Sequence, residues 1–294
     1  MSIIYISSLQ SGKDCLRLIK DRIKIDQVVT IDDRLAERAH VSGYTDFGDL
    51  GIRVCHVNRY SMKNPGDLQM IKDLSPRLII VNGWNRLLPQ SILDVPTCGC
   101  VGFHGSWKPL PFGRGRSPIT WAILNGATRF FLSLFYLDEG IDSGDVIDTG
   151  QFAITPDDTC ATLLGKLGLT SAQLLLTNVP KILDGTASRT PQVGVPTYLP
   201  MRRPEGGKID WTMSTQDICN LVRAVTKPYG GAFSSVDYYG RRVTLHIWDA
   251  VPFSYDIEIE GKIGAIVHEL NGQLLIKCSD GIMLVKNFTI SPPA

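Results

Sequence analysis

Gly99-Cys-Val-Gly-Phe-His-Gly-Ser-Trp-Lys-Pro-Leu-Pro-Phe-Gly-Arg-Gly-Arg-Ser-Pro118 is the stretch on which the reading of this chain turns. A short apolar run carries a single histidine, His104. The prolines, glycines and two arginines behind it bar both a helix and a regular strand. A helical pattern then starts at Pro118, passes through Trp121, Ala122, Ile123 and Leu124, and is stopped by Asn125-Gly126. A second apolar run, 130–137, leads into Asp138-Glu-Gly-Ile-Asp-Ser-Gly-Asp145. A lone histidine at a strand end thus faces an acidic, glycine-broken loop, an arrangement suited to proton handling on loops held by a rigid sheet.

Upstream of this stretch the chain alternates strand and helix. Residues 3–7 read as a strand, and 12–25 carry helical spacing at Cys15, Leu16, Leu18, Ile19 and Ile23. Strands follow at 27–31 and 53–57, separated by a polar, broken segment with a helical portion over 34–40. A helix is expected to end the segment 62–74, and 77–81 is a buried strand. Strands separated by helices predict an α/β fold with a doubly wound, mostly parallel sheet that binds ligands at the carboxyl ends of its strands. Ser7-Ser-Leu-Gln-Ser-Gly12 follows the first strand instead of Gly-x-Gly-x-x-Gly, which disfavours a dinucleotide site. The turn Asn82-Gly-Trp-Asn-Arg-Leu-Leu-Pro89 stands where a ligand would bind. It reads equally well as a strand-to-helix connection in which Trp84 covers apolar surface.

Downstream, a strand after Ile147 is followed by a helix capped at Asp157-Asp-Thr159. Its apolar pattern runs with breaks from Leu163 to Leu183 and ends at Asp184-Gly185. Prolines at 191, 196, 200 and 204 mark a linker. A short helix at 215–225 and β-rich segments at 232–236, 243–250, 261–267, 273–277 and 282–288 suggest a small barrel. The predicted division is 1–187 as a catalytic domain, 188–208 as a linker and 209–294 as a small β domain.

Composition bounds the possibilities. With 294 residues the chain can form one large domain and a smaller one. Thirty basic and 29 acidic residues predict no global attraction to nucleic acid or membrane. No uninterrupted apolar run approaches the roughly 20 residues of a membrane span. The start, Met1-Ser-Ile-Ile-Tyr5, reads as a strand rather than a signal peptide. Seven scattered cysteines fit a reduced cytoplasm. Only Cys98 and Cys100 are close, with no second pair at metal-binding spacing, so buried free thiols are expected there and no metal site.

The residues also carry a resemblance. Gly-x-Val-x-x-His-Gly-Ser…Pro…Arg-Gly-Arg-x-Pro-x-x-Trp-Ala…Asn-Gly, then Asp-Glu-Gly-Ile-Asp-Ser-Gly-Asp, resembles the 10-formyltetrahydrofolate-dependent formyltransferases. A second block is similar to their C-terminal junction: Arg203-Pro-Glu-Gly-Gly-Lys-Ile-Asp-Trp211, Leu221-Val-Arg-Ala-Val225 and Pro228-Tyr-Gly-Gly-Ala-Phe233. The wording Arg114 to Ala122 looks most like the sugar-nucleotide N-formyltransferases, relatives of methionyl-tRNA formyltransferase. The resemblance implies a Rossmann-like formyltransferase core, an OB-like C-terminal barrel and a homodimer. It implies 10-formyltetrahydrofolate as co-substrate, with the pteridine between Arg86, Leu87, Leu88 and Asp138, Glu139, Gly140, Ile141, and with Arg116 approaching the folate. His104 would then stabilise the oxyanion or relay the proton, and Asp142 would orient the imidazole. For Arg116 the structural alternative is an ion pair with the acidic loop.

Three departures from the family pattern stand out. Gly102 replaces the asparagine two residues before the histidine, so the oxyanion would be held by His104, a backbone N–H, a water, or an amide such as Asn82 or Asn85. The spacing from His104 to the arginine is two residues longer, and Phe131 replaces a glycine, filling space near the sheet. From Glu205 onward the chain carries eight Lys/Arg against ten Asp/Glu, where a tRNA-binding domain calls for a basic face. The first reading is therefore transfer to a nucleotide-linked amino sugar for surface polysaccharide, with Ser106, Tyr198, Arg202, Lys208 and Trp211 as candidate substrate contacts. Methionyl-tRNA formylation and a catalytically weak folate- or sugar-nucleotide-binding relative are the alternatives.

Overall fold

The computed structural model describes residues 2–292. Its first strands and helices alternate: β1 (Ser2–Ile6), α1 (Gln10–Ile19), β2 (Gln27–Thr30), α2 (Asp33–Arg38), β3 (Arg53–His56), α3 (Pro65–Asp73) and β4 (Pro76–Val81). Then come α4 (Gln90–Leu93), β5 (Cys100–Ser106), β6 (Arg114–Gly115), α5 (Pro118–Leu124), β7 (Arg129–Tyr136), β8 (Val146–Ala153) and α6 (Cys160–Asp184). Helix starts have local causes. The Asp32 carboxylate accepts the Leu35 N–H, and the Asn64 side chain accepts the Asp67 N–H with Pro65 at the first helical position. α1 stops short of the predicted 25, because Ile23 and Ile25 reach the core from a turn and continue the apolar spacing without continuing the helix.

These strands form one sheet in the order β3-β2-β1-β4-β5-β7-β8. β1 to β5 run parallel, whereas β7 is antiparallel to both β5 and β8. The order reverses between β1 and β4, which opens the crevice for a ligand at the carboxyl ends of these two strands, with β5 next to β4. Both faces are covered. Tyr5, Leu78, Ile80 and Val101 pack with Leu16 of α1 and Leu175 and Val179 of α6, while Ile4, Ile6, Ile79 and Val81 pack with Ile71 and Ile92. Each such fully buried side chain contributes about 1.5–3 kcal/mol. By length and composition α6 is long and apolar enough to cross a membrane. Its Ala172, Leu174, Leu175, Val179 and Ile182 are instead part of this core.

After β9 (Tyr198–Leu199), α7 (Thr215–Val225) is capped by Ser214 and buries Ile218, Leu221 and Val222. β10 (Ala232–Tyr238), β11 (Arg241–Ser254), β12 (Ile266–Leu270), β13 (Gln273–Lys277) and β14 (Ile282–Ser291) form an antiparallel sheet ordered β10-β11-β14-β13-β12. Its ends approach, and Tyr239 Oη donates to Glu269 Oε2 at 2.6 Å, curling the sheet toward the expected small barrel. The chain divides into two compact units. One comprises the chain through Pro118 together with 129–153 and 164–199; the other comprises 119–128, 154–163 and Pro200 onward.

All seven cysteines are free, and burial pushes Cys15, Cys100 and Cys219 up to about 12 and Cys160 to about 11. Only thiolates react readily with disulfide reagents. Native protein at pH 8 is therefore expected to titrate no more than Cys55 and Cys98, the two half-buried thiols, and unfolded protein all seven. Rapid labelling of Cys100 in native protein would contradict this packing.

Candidate active site

Strand alternation decides which side chains β5 sends to each face. Val101 and Phe103 join the cluster over α1 and α6, so Gly102, His104 and Ser106 face the other side with Cys100. β5 pairs with β4 at Val81↔Gly102, which puts His104 just past the carboxyl end of β4. After β7 the chain folds back along this face, with Leu137 over Gly102 and Asp142 beside His104. Gly144 makes that return possible, since any Cβ there would sit 1.8 Å from the Tyr136 carbonyl oxygen.

His104 is buried at 8% exposure. Its Nε2–H donates to the Gly113 carbonyl at 2.7 Å, and its Nδ1 lies 3.3 Å from Asp142 Oδ2. Both ring nitrogens thus face acceptor oxygens, a backbone carbonyl on one side and a carboxylate on the other. Asp142 Oδ2 also accepts the Gly115 N–H at 2.8 Å. The loop 113–115 thus touches both members of the pair. Asp142 itself has φ +51, a left-handed conformation costing an aspartate about 1 kcal/mol, which the bonds around it hold in place.

The other candidates fall into groups. Ser106, two residues along the same strand face from His104, is 1% exposed and its Oγ has no hydrogen-bond partner. Arg116 Nη1 donates to the Asn85 carbonyl at 3.4 Å rather than pairing with the acidic loop. Arg86 donates to the same carbonyl and lies over the Tyr60 ring. In that turn Leu88 is buried and Leu87 is exposed. In the acidic loop Ile141 and Glu139 are exposed, while Asp138 accepts the Gly140 N–H and the Ser143 hydroxyl. Tyr198 pairs with Arg114 across β9 and β6, its hydroxyl 3.5 Å from Arg114 Nη1.

Arg202, Lys208 and Trp211 belong to the second unit. Arg202 bonds the Gly206 carbonyl and lies over Trp121, and the Trp211 indole N–H is donated to Ser234 at 2.9 Å. Lys208 is exposed and its backbone bridges to Phe233. The amide alternative Asn82 lies on the opposite face from His104. It keeps the phase of Leu78 and Ile80, beside Tyr5 and Cys15.

Sequence reasoning missed the strap formed by 190–199. Thr190 pairs with Val146, Thr197 Oγ1 accepts the Gly113 N–H, and Gln192 reaches Asp142, Gly144 and Arg114. Among the described residues no three His, Cys, Asp or Glu side chains converge as a metal site requires.

An open α/β sheet carrying a buried histidine between a carboxylate and the 113–115 loop, beside the carboxyl ends of its strands, is the kind of site that suits an enzyme working by positioning and proton handling. The chain belongs to the formyl transferase family: the formyl transferase model matches residues 17–179, and the model of the formyl transferase C-terminal domain matches 202–291. Members of this family transfer formyl groups, and this chain is a formyltransferase. Among curated relatives, a methionyl-tRNA formyltransferase of Acetivibrio thermocellus is 32% identical over 291 residues, covering 97% of this chain and 91% of the relative. Two solved structures share the fold. One is WlaRD, a sugar 3N-formyltransferase in the presence of dTDP and 5-N-formyl-THF, with TM-score 0.64 and 16% identity, covering 100% of this chain and 99% of that one. The other is an N-formyltransferase of Helicobacter canadensis in complex with folinic acid and dTDP-3-aminofucose, with TM-score 0.63 and 18% identity, covering 98% of this chain and 100% of that one.

Proposed function

We propose that this formyltransferase moves the formyl group of 10-formyltetrahydrofolate to the amine of a nucleotide-linked amino sugar. The amine nitrogen forms a bond to the formyl carbon, the bond from that carbon to folate N10 breaks, one proton leaves the amine and one arrives at N10. His104 Nε2–H is the donor for the oxygen that becomes an oxyanion, exchanging the Gly113 carbonyl for it, and Asp142 balances the ring's charge. Exposed Leu87 and Ile141 suit a flat ring, with Arg86, Arg116 and the backbone of Asp138, Glu139 and Gly140 at its edge.

The observation that carries the substrate class is the fate of the basic residues after Glu205. Of the eight, Arg242 and Lys286 pair with Asp237 and Asp249. Arg223 and Lys277 donate to backbone carbonyls, and Lys227 lies over Trp248. With ten acidic residues against these eight, the segment carries no excess of positive charge to neutralise phosphates along a nucleic acid. Transfer to charged initiator tRNA is the second reading, supported by the curated relatives named methionyl-tRNA formyltransferase. The two separate in one assay with 10-formyltetrahydrofolate and UDP-, dTDP- and GDP-linked amino sugars beside methionyl-tRNA. The expected result is turnover on a nucleotide sugar, with kcat/KM at least about 10²-fold above that for tRNA, a gap of about 2.7 kcal/mol. Formylation of the tRNA alone would overturn the assignment, and folate binding without transfer to any amine would favour a binding protein.

A further inference from the structure

We infer that Gln192, in the strap between α6 and β9, is a positioning residue for the His104–Asp142 pair. The inference rests on the reading of that pair as the acid–base machinery. The Gln192 amide makes every bond it can. Its Nε2 donates to the Asp142 carbonyl at 2.9 Å and to the Gly144 carbonyl at 2.8 Å, and its Oε1 accepts from Arg114 Nη2 at 2.7 Å and Nε at 3.2 Å. Arg114 is buried at 9% exposure and sits between Gly113 and Gly115. Those two neighbours supply the carbonyl that holds His104 Nε2 and the N–H that holds Asp142 Oδ2.

One side chain therefore ties together the two loops that fix both ring nitrogens. It does so through the Asp142 and Gly144 carbonyls and the Arg114 guanidinium rather than through the imidazole or the carboxylate. The strap backbone seats the same loop: Thr197 O accepts the Arg114 N–H and Leu199 O accepts the Arg116 N–H, each at 2.9 Å. Asp142 needs such a hold because its left-handed backbone would otherwise relax. An amide is the side chain the place requires. A glutamate would keep the acceptor for Arg114 but lose both donors to the Asp142 and Gly144 carbonyls. An alanine would lose all four bonds.

The test compares Gln192→Ala and Gln192→Glu with the full-length wild type. One readout is the ¹⁵N imidazole signals of His104, assigned by their loss in His104→Gln. The other is kcat and KM for formyl transfer to the acceptor turned over fastest in the panel above. Expected are displaced His104 signals in both variants, kcat lowered about 10- to 10²-fold, and KM for 10-formyltetrahydrofolate within about twofold, as small misplacement of a reacting group produces. Unchanged His104 signals in both variants would overturn the inference whatever the activity. So would a loss confined to KM. Displaced signals with unchanged kcat would leave the clamp standing and overturn the catalytic reading of the pair.

Discussion

His104→Ala lowers kcat for formyl transfer by about 10²- to 10⁴-fold, the usual range for a general acid–base group, while KM for 10-formyltetrahydrofolate changes little. The reason is geometric. His104 is the titratable side chain at the carboxyl end of β5 that aims a ring N–H at an oxygen, the Gly113 carbonyl, in a buried setting. An oxyanion can take that carbonyl's place without any change in the ring, which is the preorganisation that makes such donors effective. Asp142→Asn separates charge from hydrogen bonding. An amide oxygen at the Oδ2 position still accepts the Gly115 N–H and still faces Nδ1, but it no longer balances a protonated ring. A smaller loss than that of His104→Ala is expected. The unfolding midpoints of both variants, measured beside kcat, separate chemistry from folding. A loss of less than about threefold in His104→Ala, against the range above, would remove the pair from the mechanism.

The alternation of strands and helices along the first part of the chain was legible because it leaves a short-range mark, whereas His104 and Asp142, 3.3 Å apart in the structure, were brought together by the resemblance. Residues 77–81 read as a buried strand because everything after Arg77 in that run is apolar, as suits a strand covered on both faces. α7 spans 215–225 as expected, and in the structure Ser214 caps it. The strap was not legible, for a physical reason. Prolines and glycines erase periodicity over 191–204, and the pairing that orders it, Arg114↔Tyr198, joins residues far apart in two-residue strands. Nothing local in Gln192 announces four bonds to three distant residues. Asn82 illustrates the opposite fault. The phase of β4 was available from Leu78 and Ile80, and it sends Asn82 away from His104.

The same alternation frames the second large effect, at Gly102, where the resemblance places an asparagine. A Cβ at 102 would lie 2.8 Å from Leu137 Cδ2 and 3.3 Å from its Cγ, with no backbone atom among its nearest neighbours. Leu137 therefore occupies the space an amide would need, and only the end of a side chain stands in the way. Gly102→Asn alone is expected to destabilise the fold by about 1–3 kcal/mol through overpacking and to leave kcat no higher. Gly102→Asn with Leu137→Ala removes the obstruction. The amide then stands on the face of His104, two residues away along the strand, where it can donate to the same oxygen. Removing one such donor from an evolved site costs about 10²–10³ in kcat, so an added, less well-ordered one should return about tenfold. Measured at equal folded fraction, a kcat above that of Leu137→Ala by this factor would show that the site still has room for an amide oxyanion donor. A folded double variant no faster than Leu137→Ala would mean that His104 and the backbone already supply all the stabilisation the oxyanion can use.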